Sequence, residues 1–72
     1  MKPSDRETVL AFARHDMKVV AAAEELRITH NALAYRLDAI YKATHFNPRN
    51  FYDLIKLVEI AERGDGYPWE ER

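Results

Sequence analysis

The feature that most constrains the fold of this chain is a helical repeat of three apolar side chains and a threonine that begins just after a tight turn. Its members are spaced by four, three and four residues and are Leu33, Leu37, Ile40 and Thr44. This spacing places them on one face of an α-helix, and Thr29, shortly before the repeat, is a favourable N-cap residue. On the opposite face, which we expect to point away from the core, lie Asn31, Ala32, Tyr35, Ala39 and Lys42.

A shorter helix is predicted immediately before the turn, over residues 19–26. Three consecutive alanines at positions 21–23 allow close contact with another helix, because small side chains let two backbones approach. Arg27 and Ile28 form the turn that leads to Thr29. Two short helices joined by a tight turn are typical of a helix-turn-helix motif. In such a motif the second helix is held outward, so that its exposed face can enter the major groove of DNA.

The start of the chain predicts a first helix. Residues 4–7, Ser-Asp-Arg-Glu, have the form of a capping box with Ser4 as the N-cap. We therefore expect a helix from about Asp5 to about Arg14. Asp16 follows in a short connection and is expected to cap the helix over residues 19–26.

A fourth helix is predicted to begin after an N-cap at Asn50 and to run to about Arg63, where Gly64 would end it. Its main apolar stripe consists of Phe51, Leu54, Ile55, Val58 and Ala61, and Leu57 and Ile60 widen that stripe along one edge. Two interpretations are open. Either this helix is the central helix of a small core, or Leu57 and Ile60 remain exposed and form the interface with a second copy of the chain.

The four helices predict one small all-α domain over residues 1–64, followed by a short irregular tail over residues 65–72. A length of 72 residues suits a single domain. The absence of cysteine excludes disulfides and thiolate metal sites. In the tail, Tyr67 and Trp69 either fold back over the core, dock on a partner or stay exposed.

No stretch of the sequence indicates a membrane or an export signal. No apolar run approaches the roughly 20 residues that span a bilayer, and residues 1–5 turn polar at once, unlike a signal peptide. We therefore expect a cytoplasmic protein with no membrane partner.

Charge is distributed unevenly along the chain, although the net charge is only −1. Residues 27–50 carry four basic side chains and one acidic side chain, a local charge of +3. The segments on either side are neutral or acidic. The positive segment coincides with the turn and the helix that follows it, which is where a DNA-binding surface is expected.

No residue pattern points to catalysis or to a cofactor. His15, His30 and His45 do not occur at the helical spacing of a metal site. Neither a Ser-His-Asp set nor a pair of acidic residues suited to acid-base chemistry stands out. We expect no metal, no cofactor and no enzymatic activity.

The residues around the predicted turn also carry a family resemblance. They are Ala23, Leu26, Ile28, Asn31, Leu33, Tyr35, Arg36, Leu37 and Ile40. A connector with the sequence Thr-His-Phe-Asn-Pro follows over residues 44–48, and then a leucine-rich helix over residues 54–61. Together these segments resemble the C-terminal helix-turn-helix domain of PucR-type transcriptional regulators. The resemblance covers roughly residues 9–61 and is densest over residues 31–37.

This resemblance implies that the chain binds double-stranded DNA through its third helix. Asn31 is expected to contact the edge of an adenine, and Tyr35 and Arg36 to contact phosphates or bases. His30, at the start of the helix, is expected to contact a phosphate or a base. The remaining candidates for DNA contact are Thr29, Lys18 and Lys42.

Several positions depart from the pattern of the family. His30 stands where the family has a basic residue, and Ala32 and Ala34 replace positions that are often polar or basic. Lys18 replaces an asparagine, and His45 replaces a glycine in the connector. The changes at Ala32 and Ala34 remove polar groups from the surface that would face DNA.

Two functional hypotheses follow from the sequence. The first is a dimeric DNA-binding protein that regulates transcription, or the genes of a phage or mobile element. The second is a protein-interaction module that keeps the helix-turn-helix fold without binding DNA, and whose partner is another regulator or a phage protein. The near-neutral charge and the alanines at positions 32, 34 and 39 favour the second hypothesis.

Overall fold

A computed structural model describes residues 1–63 of the protein as four α-helices. They are α1 (Pro3–Arg14), α2 (Val19–Leu26), α3 (His30–Thr44) and α4 (Phe51–Arg63). This part of the chain contains no strand, so the predicted all-α fold of four helices is confirmed. Gly64 and the predicted tail over residues 65–72, with Tyr67 and Trp69, lie outside the described residues. None of the four helices is long and apolar enough to cross a membrane.

Helix α1 occupies the centre of the described domain. It packs against α2, α3 and α4, whereas α1 is the one helix within residues 1–63 on which α4 packs. Val9, Ala11 and Phe12 of α1 are buried in the core that these helices share. The interpretation that the fourth helix is central is therefore wrong, and the reason is the packing order: α2 and α3 cover one side of α1, and α4 covers another.

The first helix begins earlier than the sequence pattern predicts. Pro3 occupies its first turn, and Lys2 is the N-cap residue without a side-chain cap. Proline is favoured at the first helical position because its φ angle suits the helix and the missing N–H would have no partner there. Ser4 therefore lies inside α1, where its carbonyl accepts a hydrogen bond from the Thr8 hydroxyl at 2.7 Å. The predicted capping box at Ser4 is wrong.

The connection between α1 and α2 is a compact turn with two residues in the left-handed region. Asp16 has a φ of 56° and Met17 a φ of 65°, and the Met17 N–H donates to the Phe12 carbonyl at 2.8 Å. The N-cap of α2 is Lys18, whose side chain makes no cap hydrogen bond. The prediction that Asp16 caps α2 is wrong, because the turn places Asp16 two residues too early.

The turn between α2 and α3 is closed by backbone hydrogen bonds. Arg27 adopts the left-handed conformation, with φ 59° and ψ 43°, and the Ile28 N–H reaches back to the Ala23 carbonyl at 3.0 Å. This is the pattern of a Schellman cap. Ala22 and Ala23 are fully buried, which agrees with the close helix contact expected of the alanines. The predicted bounds of α2 are confirmed.

Helix α3 presents the predicted face to the core. Leu33, Leu37, Ile40 and Thr44 are all buried. Thr44 is polar, but its hydroxyl donates to the Ile40 carbonyl at 2.7 Å and accepts from the Phe46 N–H at 3.0 Å. The predicted N-cap is also confirmed, because the Thr29 Oγ1 accepts a hydrogen bond from the Ala32 N–H at 3.0 Å.

The fourth helix buries only part of the main predicted stripe, Leu54 and Ala61, together with the edge residues Leu57 and Ile60. The predicted cap is present, since the Asn50 Oδ1 accepts from the Asp53 N–H at 3.1 Å. Leu57 is fully buried and Ile60 is only 7% exposed, whereas Phe51 and Ile55 are 59% and 44% exposed. The prediction that Leu57 and Ile60 remain exposed as a dimer interface is wrong. Among the described helices α4 packs on α1, and these two side chains are on the side that faces it.

Candidate nucleic-acid interface

The outward face of α3 is an accessible surface of the helix-turn-helix region. Asn31, Tyr35, Ala39 and Lys42 are exposed and Ala32 is half-buried, so the predicted outward face is largely confirmed. Tyr35 is 75% exposed. These side chains project from a helix whose opposite face is anchored in the core, so the scaffold holds them in a fixed arrangement.

The start of α3 adds polar groups next to this face. His30 is the first residue of the helix and is exposed. Thr29 uses its oxygen as acceptor for the Ala32 N–H, which leaves the hydroxyl proton available as a donor. Ile28, Thr29, His30 and Asn31 line a shallow depression at the turn. A phosphate oxygen or a base edge at this position would meet donors from all three polar side chains.

Three exposed cations of the helix-turn-helix region have no carboxylate partner within residues 1–63. Lys18 at the start of α2, Arg27 in the turn and Lys42 near the end of α3 are exposed, and none of them forms an ion pair within residues 1–63. Arg14, by contrast, is paired with Glu25. Exposed lysine and arginine side chains without a carboxylate partner are available for contacts with phosphate.

The outward face of α3 also carries one carboxylate, which the predictions from sequence did not include. Asp38 lies seven residues after Asn31 and four before Lys42, so helical spacing alone places it on this face. Its Oδ1 accepts a hydrogen bond from the Arg49 Nη1 at 2.7 Å. Arg49 thereby neutralises the one negative charge of the outward face and brings a guanidinium from the α3–α4 connector to it.

Arg36 is placed apart from the other candidates. It is half-buried, and its Nη1 donates to the Oγ1 of Thr8 on α1 at 3.3 Å. Thr8 is fully buried. This contact joins Arg36 to the inner helix α1 and directs its guanidinium away from the face formed by Asn31, Tyr35 and Lys42.

The three histidines occupy separate positions. His15 Nε2 lies 2.7 Å from the Glu25 Oε1, His30 begins α3, and His45 ends it with a φ of 65°. Within residues 1–63, no three side chains of the histidine, cysteine and acidic types come together as metal ligands.

Comparison with known proteins identifies the family. The model of the PucR C-terminal helix-turn-helix domain matches residues 6–59. This range includes α1 from Arg6 onward, all of α2 and α3, and about the first two-thirds of α4. No curated protein and no solved structure matches the chain. Because the family match extends over most of the sequence and the four helices have the expected helix-turn-helix arrangement, this chain belongs to the family of PucR C-terminal helix-turn-helix domains.

Proposed function

We propose that this chain is the DNA-binding domain of a transcriptional regulator and places α3 in the major groove of double-stranded DNA. The observation that carries the proposal is the exposed outward face of α3, in a helix-turn-helix region where Lys18, Arg27 and Lys42 have no carboxylate partner within residues 1–63. Its family membership points to the same class of function. Regulation of bacterial, phage or mobile-element genes is part of the proposal, and the predicted cytoplasmic location stays a prediction.

The proposed base contacts come from the first half of α3. The amide of Asn31 offers a donor and an acceptor together, which matches the two groups that adenine presents in the major groove. His30 lies beside it and can donate to a base or a phosphate. Tyr35 is one helical turn further on and is exposed enough to pack against the sugar-phosphate edge.

The proposed phosphate contacts come from the groups around this face. Lys18 and Lys42 supply charge at the start of α2 and near the end of α3, and Arg27 supplies it in the turn. The Thr29 hydroxyl, just before α3, is a neutral donor for a further phosphate contact. We assign Arg36 a positioning role instead, because its guanidinium is held by Thr8.

The test of DNA binding is the salt dependence of affinity for a random duplex. Each phosphate contact releases counterions, so the logarithm of the affinity falls with the logarithm of salt concentration by about 0.9 per contact. We expect measurable binding at about 50 mM salt and steep loss by about 200 mM. No binding at low salt, measured by fluorescence anisotropy on labelled DNA, would contradict the proposal.

A second candidate function is supported by the composition of the same face. Ala32, Ala34 and Ala39 offer no hydrogen bonds to bases, and Asp38 would face a polyanion if Arg49 released it. A face of small apolar side chains around Tyr35 suits contact with a protein, either another regulator or a phage protein. Absence of DNA binding by a folded sample would favour this alternative.

A further inference from the structure

The side of α4 that faces away from the core carries an apolar patch that nothing in the described domain covers. Phe51, Tyr52 and Ile55 are large and exposed, and Val58 is half-buried next to them. Large apolar side chains that cluster on a surface mark interaction sites more often than single ones do. We refer to Phe51, Tyr52, Ile55 and Val58 as the α4 patch.

The α4 patch borders a groove between α4 and the end of α1. The groove has a volume of about 420 Å³, and its lining includes Ala13, Met17 and Leu54 together with Phe51 and Ile55. Protruding side chains and the groove that can receive them therefore lie on one surface. A surface of this kind is self-complementary, because two copies related by a two-fold axis can each insert a side chain into the other's groove.

The charges along the exposed side of α4 favour an antiparallel orientation of two paired α4 helices. Its end carries Glu59 and Glu62, both exposed, and just before its start lies Arg49. The start of a helix also carries the positive end of the helix dipole. When two α4 helices run antiparallel and cross at Ile55, the spacing of residues along the helix brings Glu62 of each copy to the start of the other α4. The guanidinium of Arg49 has donors left for this contact, since Asp38 is contacted by one of them.

We propose that the chain forms a symmetric homodimer in which two α4 helices pair antiparallel through the α4 patch. The groove is occupied by a second copy of the chain, and Leu57 and Ile60 stay in the core of each copy. The α4 patch shares no residue with the face formed by Asn31, Tyr35 and Lys42, and within residues 1–63 helices α3 and α4 each pack on α1 and not on each other. Formation of the dimer requires no DNA.

The first test is the solution mass of the full chain, measured by sedimentation equilibrium from roughly 10 to 500 μM, because self-association depends on concentration. We expect the unmodified protein to shift from 8.4 kDa towards twice that mass. Ile55→Glu places two carboxylates opposite each other at the two-fold axis and should raise the dissociation constant at least tenfold. The matched control is Val20→Glu, a similarly exposed apolar side chain on α2, which should leave the mass profile unchanged. Circular dichroism checks that each variant is folded.

The second test uses charge reversal to examine the antiparallel arrangement. Glu62→Lys and Arg49→Glu should each weaken self-association, because each creates two contacts between like charges. An equimolar mixture of the two variants should restore the dimer, since both contacts then join opposite charges. Failure of the mixture to associate more strongly than either variant alone would overturn the arrangement.

Two further results would overturn the dimer itself. One is an unmodified protein that stays monomeric over the whole concentration range. The other is a dimer that Ile55→Glu leaves intact, which would place the interface elsewhere. The first of these results has one specific explanation if the fluorescence of Trp69 differs between Ile55→Glu and the unmodified protein. The groove is then covered by the chain's own C-terminal segment instead of a second copy.

Discussion

Arg36 on α3 donates a hydrogen bond to the hydroxyl of Thr8 on α1, with 3.3 Å between the Nη1 and Oγ1 atoms. The same hydroxyl donates to the Ser4 carbonyl, so Thr8 connects the third helix to the first turn of the first. This contact adds a polar link between α1 and α3 to the buried Leu33, Leu37 and Ile40, which anchor α3 in the core. Asn31 and Tyr35 lie on the exposed side of α3, on the face proposed to meet DNA.

The anchoring of α3 in the core leads to a prediction on stability. Leu33→Ala and Leu37→Ala each leave a cavity in place of a fully buried side chain and should each cost about 2–5 kcal/mol. A domain of this size has only about 3–5 kcal/mol available, so both variants should lose most of their cooperative thermal transition. Val20→Ala, at an exposed position, is the control and should melt close to the unmodified protein. Unchanged melting of both leucine variants would show that the core face of α3 is assigned incorrectly.

The helix-turn-helix region was the part of the fold that sequence could predict best, because its signals are local. The Thr29 cap, the bounds of α2 and the buried face of α3 each depend on residues within a few positions of one another. The orientation of α4 depends on which helix it meets. Its apolar side chains span an arc wider than one contact needs, and nothing within residues 51–63 reveals that α1 covers the arc containing Leu57 and Ile60.

The difference between local signals and contacts with distant parts of the chain also decides which residues of the candidate site could be predicted. Asn31, Tyr35 and Lys42 were predictable as outward residues because helical spacing relative to Leu33 decides their direction. Arg36 was not, because its partner Thr8 lies 28 residues earlier in the chain. The pairing of Asp38 with Arg49 likewise depends on how the connector after α3 turns back.

A second prediction compares the effect of a lysine on the buried side and on the exposed side of α4. Leu57→Lys puts a charge into a position that is fully buried, and an unpaired buried charge costs several kcal/mol. We expect this variant to be unfolded by circular dichroism at 25 °C. Ile55→Lys, two residues away on the exposed side, should keep the helical spectrum and a cooperative melt. A folded Leu57→Lys protein would mean that this side chain does not belong to the core.

A third prediction concerns His45 at the end of α3. Its φ of 65° lies in the left-handed region, where a residue with a Cβ atom is strained by about 1–2 kcal/mol. His45→Gly removes this strain but adds entropy to the unfolded chain, so we expect a net gain of about 0.5–1 kcal/mol in the free energy of unfolding. Ala43→Gly, inside the helix, should lower stability by about 1 kcal/mol. Urea denaturation measures both, and equal losses at the two positions would contradict the explanation.

A fourth prediction concerns pH and the ion pairs between α1 and α2. Hydrogen bonds from Arg14 and then from His15 lower the pKa of the Glu25 carboxyl from its ordinary value. A carboxyl with a lower pKa in the folded protein stabilises the fold above its unfolded pKa of about 4.3, and this stabilisation is lost as pH falls through the folded pKa.

The comparison that measures this effect is Glu25→Gln against the unmodified protein. We expect the variant to have the lower denaturation midpoint at neutral pH, and the difference should shrink as the solution is made acidic. Glu24→Gln is the control, because Glu24 is exposed and forms no ion pair within the described residues. A difference between Glu25→Gln and the unmodified protein that does not change with pH would contradict the role of this carboxylate.

The most direct test of the central claim compares Asn31→Ala with Lys18→Ala on a selected duplex and on random DNA. Asn31→Ala should lose about 1–3 kcal/mol of binding free energy on the selected duplex and little on random DNA, because its amide distinguishes bases. Lys18→Ala should weaken binding to both DNAs by a similar amount, because a lysine contacts phosphate without regard to sequence. It should also reduce the slope of log affinity against log salt concentration by about 1. Equal losses on both DNAs for Asn31→Ala, or no change for either variant, would contradict the claim that α3 reads DNA.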